Sequence, residues 1–154
     1  MPSYPHFIAI DASSREESAF PVAIAWSLEN GTIKTALIQP EDDWDDWDYS
    51  LEDLHGISQH TLYQLGETPW SVIRELEHDL EQPLLFSHEP DITQILLERL
   101  YDACGRELSV ETADHSDGIS DPQRLHDWQL DHALDHQPCD ERVRLMLMLY
   151  AGQD

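Results

Sequence analysis

The sequence predicts one α/β domain, and three patterns carry that expectation. Asn30-Gly31 stands between two alternating apolar runs, which is the strongest short hairpin signal. Beyond the hairpin, stretches with helical spacing alternate with short apolar runs, as expected for strands joined by helical crossovers. No repeat, linker or shift of composition divides residues 1–154, and a chain of 154 residues can bury one substantial core.

The elements follow in order. Phe7–Asp11 is the first strand-like run. Pro21–Leu28 is the second, with Val22, Ile24 and Trp26 alternating, and Thr32–Ile38 is the third. Short helical pieces are expected at Leu51–His55 and Ser58–Leu65. Thr68-Pro69 supplies an N-cap and a first-turn proline for a helix with Val72, Ile73, Leu76 and Leu80 on one face, and Pro83 ends it. Leu84-Leu85-Phe86 reads as a buried strand. Asp91–Ala103 is the next helix, with Ile92, Ile95, Leu96, Leu100 and Ala103 at helical spacing, Asp91 and Gln94 spaced as a capping box and Gly105 as the stop. Leu108-Ser109-Val110 is the expected last strand. Thr112–Pro122 reads as loop and Pro122–Leu134 as a helical piece; Pro138 opens a final helix to about Tyr150.

Charge narrows the function. Thirty-two acidic residues against eight basic ones leave a formal net charge of −24, with Lys34 the sole lysine. Gripping phosphates takes Lys and Arg, so this field disfavours tight nucleic-acid binding and favours cations or a basic protein. Two cysteines make no disulfide framework. The N-terminal residues lack the basic and apolar regions of a signal peptide, and no run approaches a membrane span. A soluble cytoplasmic protein is expected.

Several segments together resemble a known family. Ile8-Ala9-Ile10-Asp11-Ala12-Ser13 is an apolar strand ending in an acid. Pro21-Val22-Ala23-Ile24-Ala25 follows as a second strand. Trp44 and Trp47 precede Leu54-His55-Gly56-Ile57-Ser58, and His136 precedes Glu141 by five residues at the start of the last helix. This order resembles the histidine-containing branch of the DEDD superfamily of 3′-5′ exonucleases, built on the RNase H-like fold. The resemblance runs from about Ile8 to Tyr150 and implies a mixed sheet, strands 1-2-3 antiparallel, flanked by helices. It also implies a site: Asp11 and Glu141 as ligands of Mg²⁺ or Mn²⁺, with His136 as the base.

In the family a glutamate lies two residues after the first aspartate, since residues i and i+2 of a strand share a face. Here Ser13 stands at that position, and Thr93 stands where the second motif has an aspartate. Asp91 is two positions early, about 200° around a helix. Asp140 is one position off Glu141, and a rescue of the site has Glu16, Glu17, Glu89 or Asp91 migrating into it. Two Mg²⁺ ions about 3.5–4 Å apart need several hard anionic oxygens. With two carboxylates replaced by hydroxyls, the expectation is a degenerate exonuclease domain that has lost most two-metal catalysis and acts by binding. The alternative is a weak or specialised exonuclease acting on short single-stranded nucleic acid.

The remaining clusters have plainer readings. Glu41–Asp48 packs six acids around Trp44 and Trp47, as a solvated loop with its tryptophans on the body, or as a phosphate-like face for a basic partner. His132 and His136 share a helix face at i, i+4 and offer a transition-metal site through the C-terminal histidines. Arg142 and Arg144 read as surface partners for neighbouring acids, and Met146 and Met148 as core. An apolar face beside the three-stranded edge would allow a homodimer.

Overall fold

The computed structural model describes residues 4–13, 19–41, 44, 47, 58–80, 83–114 and 139–151. Strands β1 (Ile8–Ala12), β2 (Pro21–Ser27) and β3 (Ile33–Leu37) form an antiparallel sheet in that order. Every residue of β2 is buried, so both faces of the sheet are covered. Helices α1 (Gln59–Leu65) and α2 (Pro69–Asp79) follow, then β4 (Leu84–Ser87), α3 (Pro90–Asp102), β5 (Glu111–Asp114) and α4 (Cys139–Ala151).

Local chemistry explains these bounds. The hairpin between β2 and β3 closes with the Gly31 N–H on the Leu28 carbonyl, and Gly31 takes φ +87°, open to glycine but strained for other residues. Asn30 adds its side-chain oxygen to the Thr32 N–H. Thr68 caps α2 by accepting from the Ser71 N–H at 3.2 Å, and Pro69 opens the first turn. Ser58 caps α1 in the same way through Thr61.

Several expectations give way. Asp91 and Gln94 form no capping box. Pro90 starts α3, Glu89 is its N-cap without a side-chain bond, and Asp91 lies exposed in the first turn, where its charge suits the helix dipole. The last described strand is Glu111–Asp114, not Leu108–Val110, and it takes in residues 112–114, where a loop is expected. It pairs in parallel with β4, Leu84 opposite Glu111 through Ser87 opposite Asp114. An edge strand answers to its neighbour's free backbone groups, and this one has no apolar alternation to announce it. The Leu51–His55 and Pro122–Leu134 pieces lie outside the described residues.

The two ladders meet at one parallel bridge, Phe7 with Phe86, where the Phe86 N–H donates to the His6 carbonyl at 2.8 Å. Helix α4 packs across β1, β2 and β3, while α3 reaches β1, β2, β4 and β5. The core gathers Phe20, Trp26, Ile38, Leu97, Leu100 and Tyr101. Lys34 fastens β3 to α2 through Asp79 at 2.9 Å and Glu75 at 3.2 Å, and the Trp26 indole N–H adds a bond to Asp79. Glu77 of α2 accepts from Arg106, Ser109 and the Tyr101 hydroxyl, which holds the segment before β5. Met146 is core as expected, but Met148 is more than half exposed. No described helix is long and apolar enough to cross a membrane.

Candidate functional site

The end of β1 and the start of α4 build the candidate site. At Asp11/Ala12 the β1–β2 register shifts, which bends the strand end where Asp11 sits. The Asp11 carboxylate is already engaged at both oxygens. Oδ1 lies 2.7 Å from Arg142 Nη2, and Oδ2 accepts the Cys139 backbone N–H at 3.0 Å. The same Arg142 nitrogen donates to the Ile10 carbonyl at 3.0 Å. Both side chains are nearly enclosed, 10% exposed for Asp11 and 11% for Arg142.

Arg142 is therefore a buried partner of the strand end, whereas its pattern suggested a surface pair. Arg144 is the surface one: it is exposed and pairs with Glu141, three residues earlier on the same helix. That pairing holds the Glu141 carboxyl below its ordinary value, against a smaller opposing effect of burial. Arg142 was missed because arginine is read as a surface residue. The stripe Cys139, Arg142, Val143, Met146 marks it as inward, and each of the four is buried. A cation on a buried stripe requires an acid, and Asp11 is the acid at the end of the strand that α4 covers.

The two hydroxyls at the expected carboxylate positions are committed elsewhere. Ser13 is buried and accepts the Phe20 N–H at 3.0 Å, while its own N–H donates to the Phe20 carbonyl. It thus ties residue 13 to residue 20. Thr93 faces inward on α3 and shares a 2.8 Å hydrogen bond with Ser87, whose hydroxyl also accepts the Glu89 N–H. Asp91 and Asp140 are exposed. His136, His132 and the His55-Gly56-Ile57 segment lie outside the described residues.

These donors decide whether a metal ion fits. Mg²⁺ sits about 2.0–2.1 Å from its oxygens and needs an octahedral set of them. Asp11 instead holds a guanidinium cation at 2.7 Å, which would repel a second cation, and its other oxygen is capped by backbone. Among the described residues no group of three or more His, Cys, Asp or Glu side chains converges into a metal-holding cluster. The described donors do not fit a Mg²⁺ or Mn²⁺ pair. Cys139 offers no thiolate either: burial first, then the Asp11 charge, pushes its thiol well above the usual value.

The acidic loop after β3 packs as expected for its described part. Trp44 is buried and stacks on Phe20 with ring centres 5.3 Å apart, and Trp47 lies 6.3 Å from the same ring.

Solved structures share this architecture. Exonuclease I in its apo form matches at a TM-score of 0.70 and 10% identity, covering 100% of this chain and 43% of that one. The zinc-bound form of E. coli exonuclease I with single-stranded DNA matches at 0.71 and 12% identity, covering 96% and 39%. The exonuclease I complex with SSB-Ct matches at 0.69 and 10% identity, covering 100% and 42%. The chain thus spans less than half the length of these proteins, and at such identity the likeness is one of fold: an exonuclease I-like α/β fold. No family model and no curated protein matches the chain.

Proposed function

We propose that this chain is a single exonuclease-like domain, residues 1–154, that acts by binding a partner and has lost most two-metal 3′-5′ exonuclease activity. One observation carries the proposal. Asp11, the acid on which the family's chemistry would turn, is neutralised by a buried arginine of the same chain. Two-metal hydrolysis uses the metals to clamp the attacking and leaving oxygens. An arginine bound to the first ligand supplies positive charge without open coordination positions.

The sheet supports the fold reading. With the Phe7–Phe86 bridge counted, the strands run β3-β2-β1-β4-β5, antiparallel across the first three and parallel across the rest, an order that supports the RNase H-like reading. The net charge of −24 favours a basic protein over single-stranded nucleic acid as partner. The two free cysteines suit a reducing cytoplasm. The second reading, a weak or specialised exonuclease using Asp11, His136 and Glu141 with Mg²⁺ or Mn²⁺, draws on the fold match to an exonuclease bound to single-stranded DNA.

The test is Mn²⁺-dependent shortening of 5′-labelled single-stranded DNA and RNA oligomers with protein in excess. No loss of 3′ nucleotides is expected. Shortening that disappears in both Asp11→Asn and His136→Ala would overturn the proposal and establish the second reading.

A further inference from the structure

The outward side of α3 carries a feature that the Asp11 site does not use. A cavity of about 730 Å³ opens between that helix and the loop after β3. Its walls include Glu41, Trp44, Ile95, Glu98, Arg99 and Asp102. That volume lies in the range of ordinary ligand clefts, enough for a few side chains. Ile92 and Ile95 lie one turn apart and are 52% and 55% exposed, turned away from buried Leu97. Single exposed aliphatics are common on any protein. Ile95 is different in forming part of a concavity that acids surround and that Trp44 backs.

The walls carry three carboxylates against one guanidinium, and Arg99 already has interactions of its own. The Glu41 charge is felt nearby: after burial, it is the next cause raising the Cys104 thiol. In sequence, Glu41 and Trp44 belong to a run with six acids in eight residues.

We infer that this groove docks a polypeptide segment rich in Lys or Arg that inserts an aliphatic side chain beside Ile95. Charge selects that occupant. Nucleic acid and anionic lipid would bring phosphates towards carboxylates, and a second copy of this chain would bring a further −24. An acidic rim alone would attract any polycation; the exposed isoleucine and the cleft give the apolar selectivity. Rim charges chiefly raise the association rate and weaken with salt, while the inserted side chain holds the complex.

The inference rests on the binding reading proposed above, and its test separates the two. Fluorescence anisotropy would be measured in EDTA with 12-residue peptides. One alternates Lys with Leu, a second replaces each Leu by Ser, and single-stranded dT₁₂ serves as the anionic probe. The Lys/Leu peptide is expected to bind saturably at low salt, at least about tenfold more tightly than the Lys/Ser peptide. Ile95→Ser should weaken it about tenfold, and Glu98→Gln with Asp102→Asn should weaken both peptides. All three positions are at the surface, and unchanged melting of the variants checks that the fold is kept. No saturable binding, equal binding of the two peptides untouched by Ile95→Ser, or preference for dT₁₂ would each overturn the groove. Peptide binding lost in Ile95→Ser, together with DNA shortening lost in Asp11→Asn, would keep the groove and overturn the proposed loss of catalysis.

Discussion

The Asp11–Arg142 pair makes a quantitative prediction. Asp11→Asn keeps the side-chain shape and an oxygen for the Cys139 N–H but leaves the Arg142 cation in an enclosed site without its counter-charge. Removing one partner of a buried pair typically costs about 3–5 kcal/mol, because the survivor remains desolvated and unpaired. For a domain of this size each kcal/mol lowers Tm by about 2–4 °C, so the expected fall is roughly 6–20 °C. Arg142→Met should cost a similar amount, since the enclosed Asp11 carboxylate then loses its counter-charge and keeps only Cys139 as a partner. The double variant removes both charges. It also removes the Arg142 Nε–H, the one buried side-chain polar atom without a partner among the described residues. Replacing a whole buried pair by neutral groups is often close to neutral in stability.

Urea melts of the four proteins would measure the coupling. The double variant should lose less than either single one, so the coupling energy should exceed the larger single loss, more than about 3 kcal/mol. Additivity within about 0.5 kcal/mol would refute the argument that the pair holds α4 to β1. The same melts with millimolar Mn²⁺ or with EDTA should coincide for the unaltered protein. A bound ion at a hundred times its Kd would add about 2.7 kcal/mol. A rise with Mn²⁺ that vanishes in Asp11→Asn would show Asp11 to be a metal ligand.

Three further outcomes are expected. Burial, with the hydrogen bond and charge of Glu77 adding to it, raises the Tyr101 hydroxyl to about 12 against an opposing Ser109 bond. The neutral phenol is favoured by folding, so its contribution is complete below the unfolded value of 10.0 and is lost as pH rises towards 12. Ultraviolet titration should show one tyrosine ionising late, absent in Tyr101→Phe, which should also cost about 1 kcal/mol in a neutral urea melt. Gly66 lies where a Cβ would meet the Leu62 carbonyl oxygen at 2.4 Å and the Gln39 nitrogen at 2.6 Å. Gly66→Ala should therefore lower stability by about 1–3 kcal/mol in the same assay, and an unchanged midpoint would contradict the close approach of α1 to the end of β3. Finally, −24 charges repel one another in the compact state. Tm should rise as NaCl is raised to about 0.5 M, since the Debye length then falls well below 10 Å, and a falling Tm would show that ion pairs outweigh the repulsion.

What could be read from the residues alone depends on how much of each signal is local. The hairpin was legible because Asn30-Gly31 and the flanking alternation are short-range facts, and the structure closes it through Leu28, Gly31 and Thr32. Helices α2 and α3 were legible from their apolar spacing, and the Thr68 cap from its position before Pro69. Strand β5 was not. Glu111-Thr112-Ala113-Asp114 carries no apolar pattern, and its pairing is set by the ladder that β4 offers. The more apolar Leu108–Val110 drew the expectation, yet it serves as an approach in which Ser109 donates to Glu77 and Val110 is buried.

The candidate site was half legible for a geometric reason. On a strand, one motif residue fixes the faces of its neighbours with period two, so Asp11 could be placed from Ile8 and Ile10 alone. On a helix, one residue turns the side chain by about 100°, and a motif counted from a histidine outside the described residues leaves that angle open. Counting five from His136 selects Glu141, whose carboxylate the structure pairs with Arg144 on the exposed side. The next residue is the one that reaches Asp11. A single step along α4 thus exchanges an anion for a cation beside the same aspartate, and with it the chemistry that aspartate can do. Sequence distance cannot reveal such a step, whereas the burial stripe of Cys139, Arg142, Val143 and Met146 can, because only one of its members carries a charge that must be answered. In a chain this acidic, an arginine enclosed among apolar residues is more informative than any of the carboxylates around it.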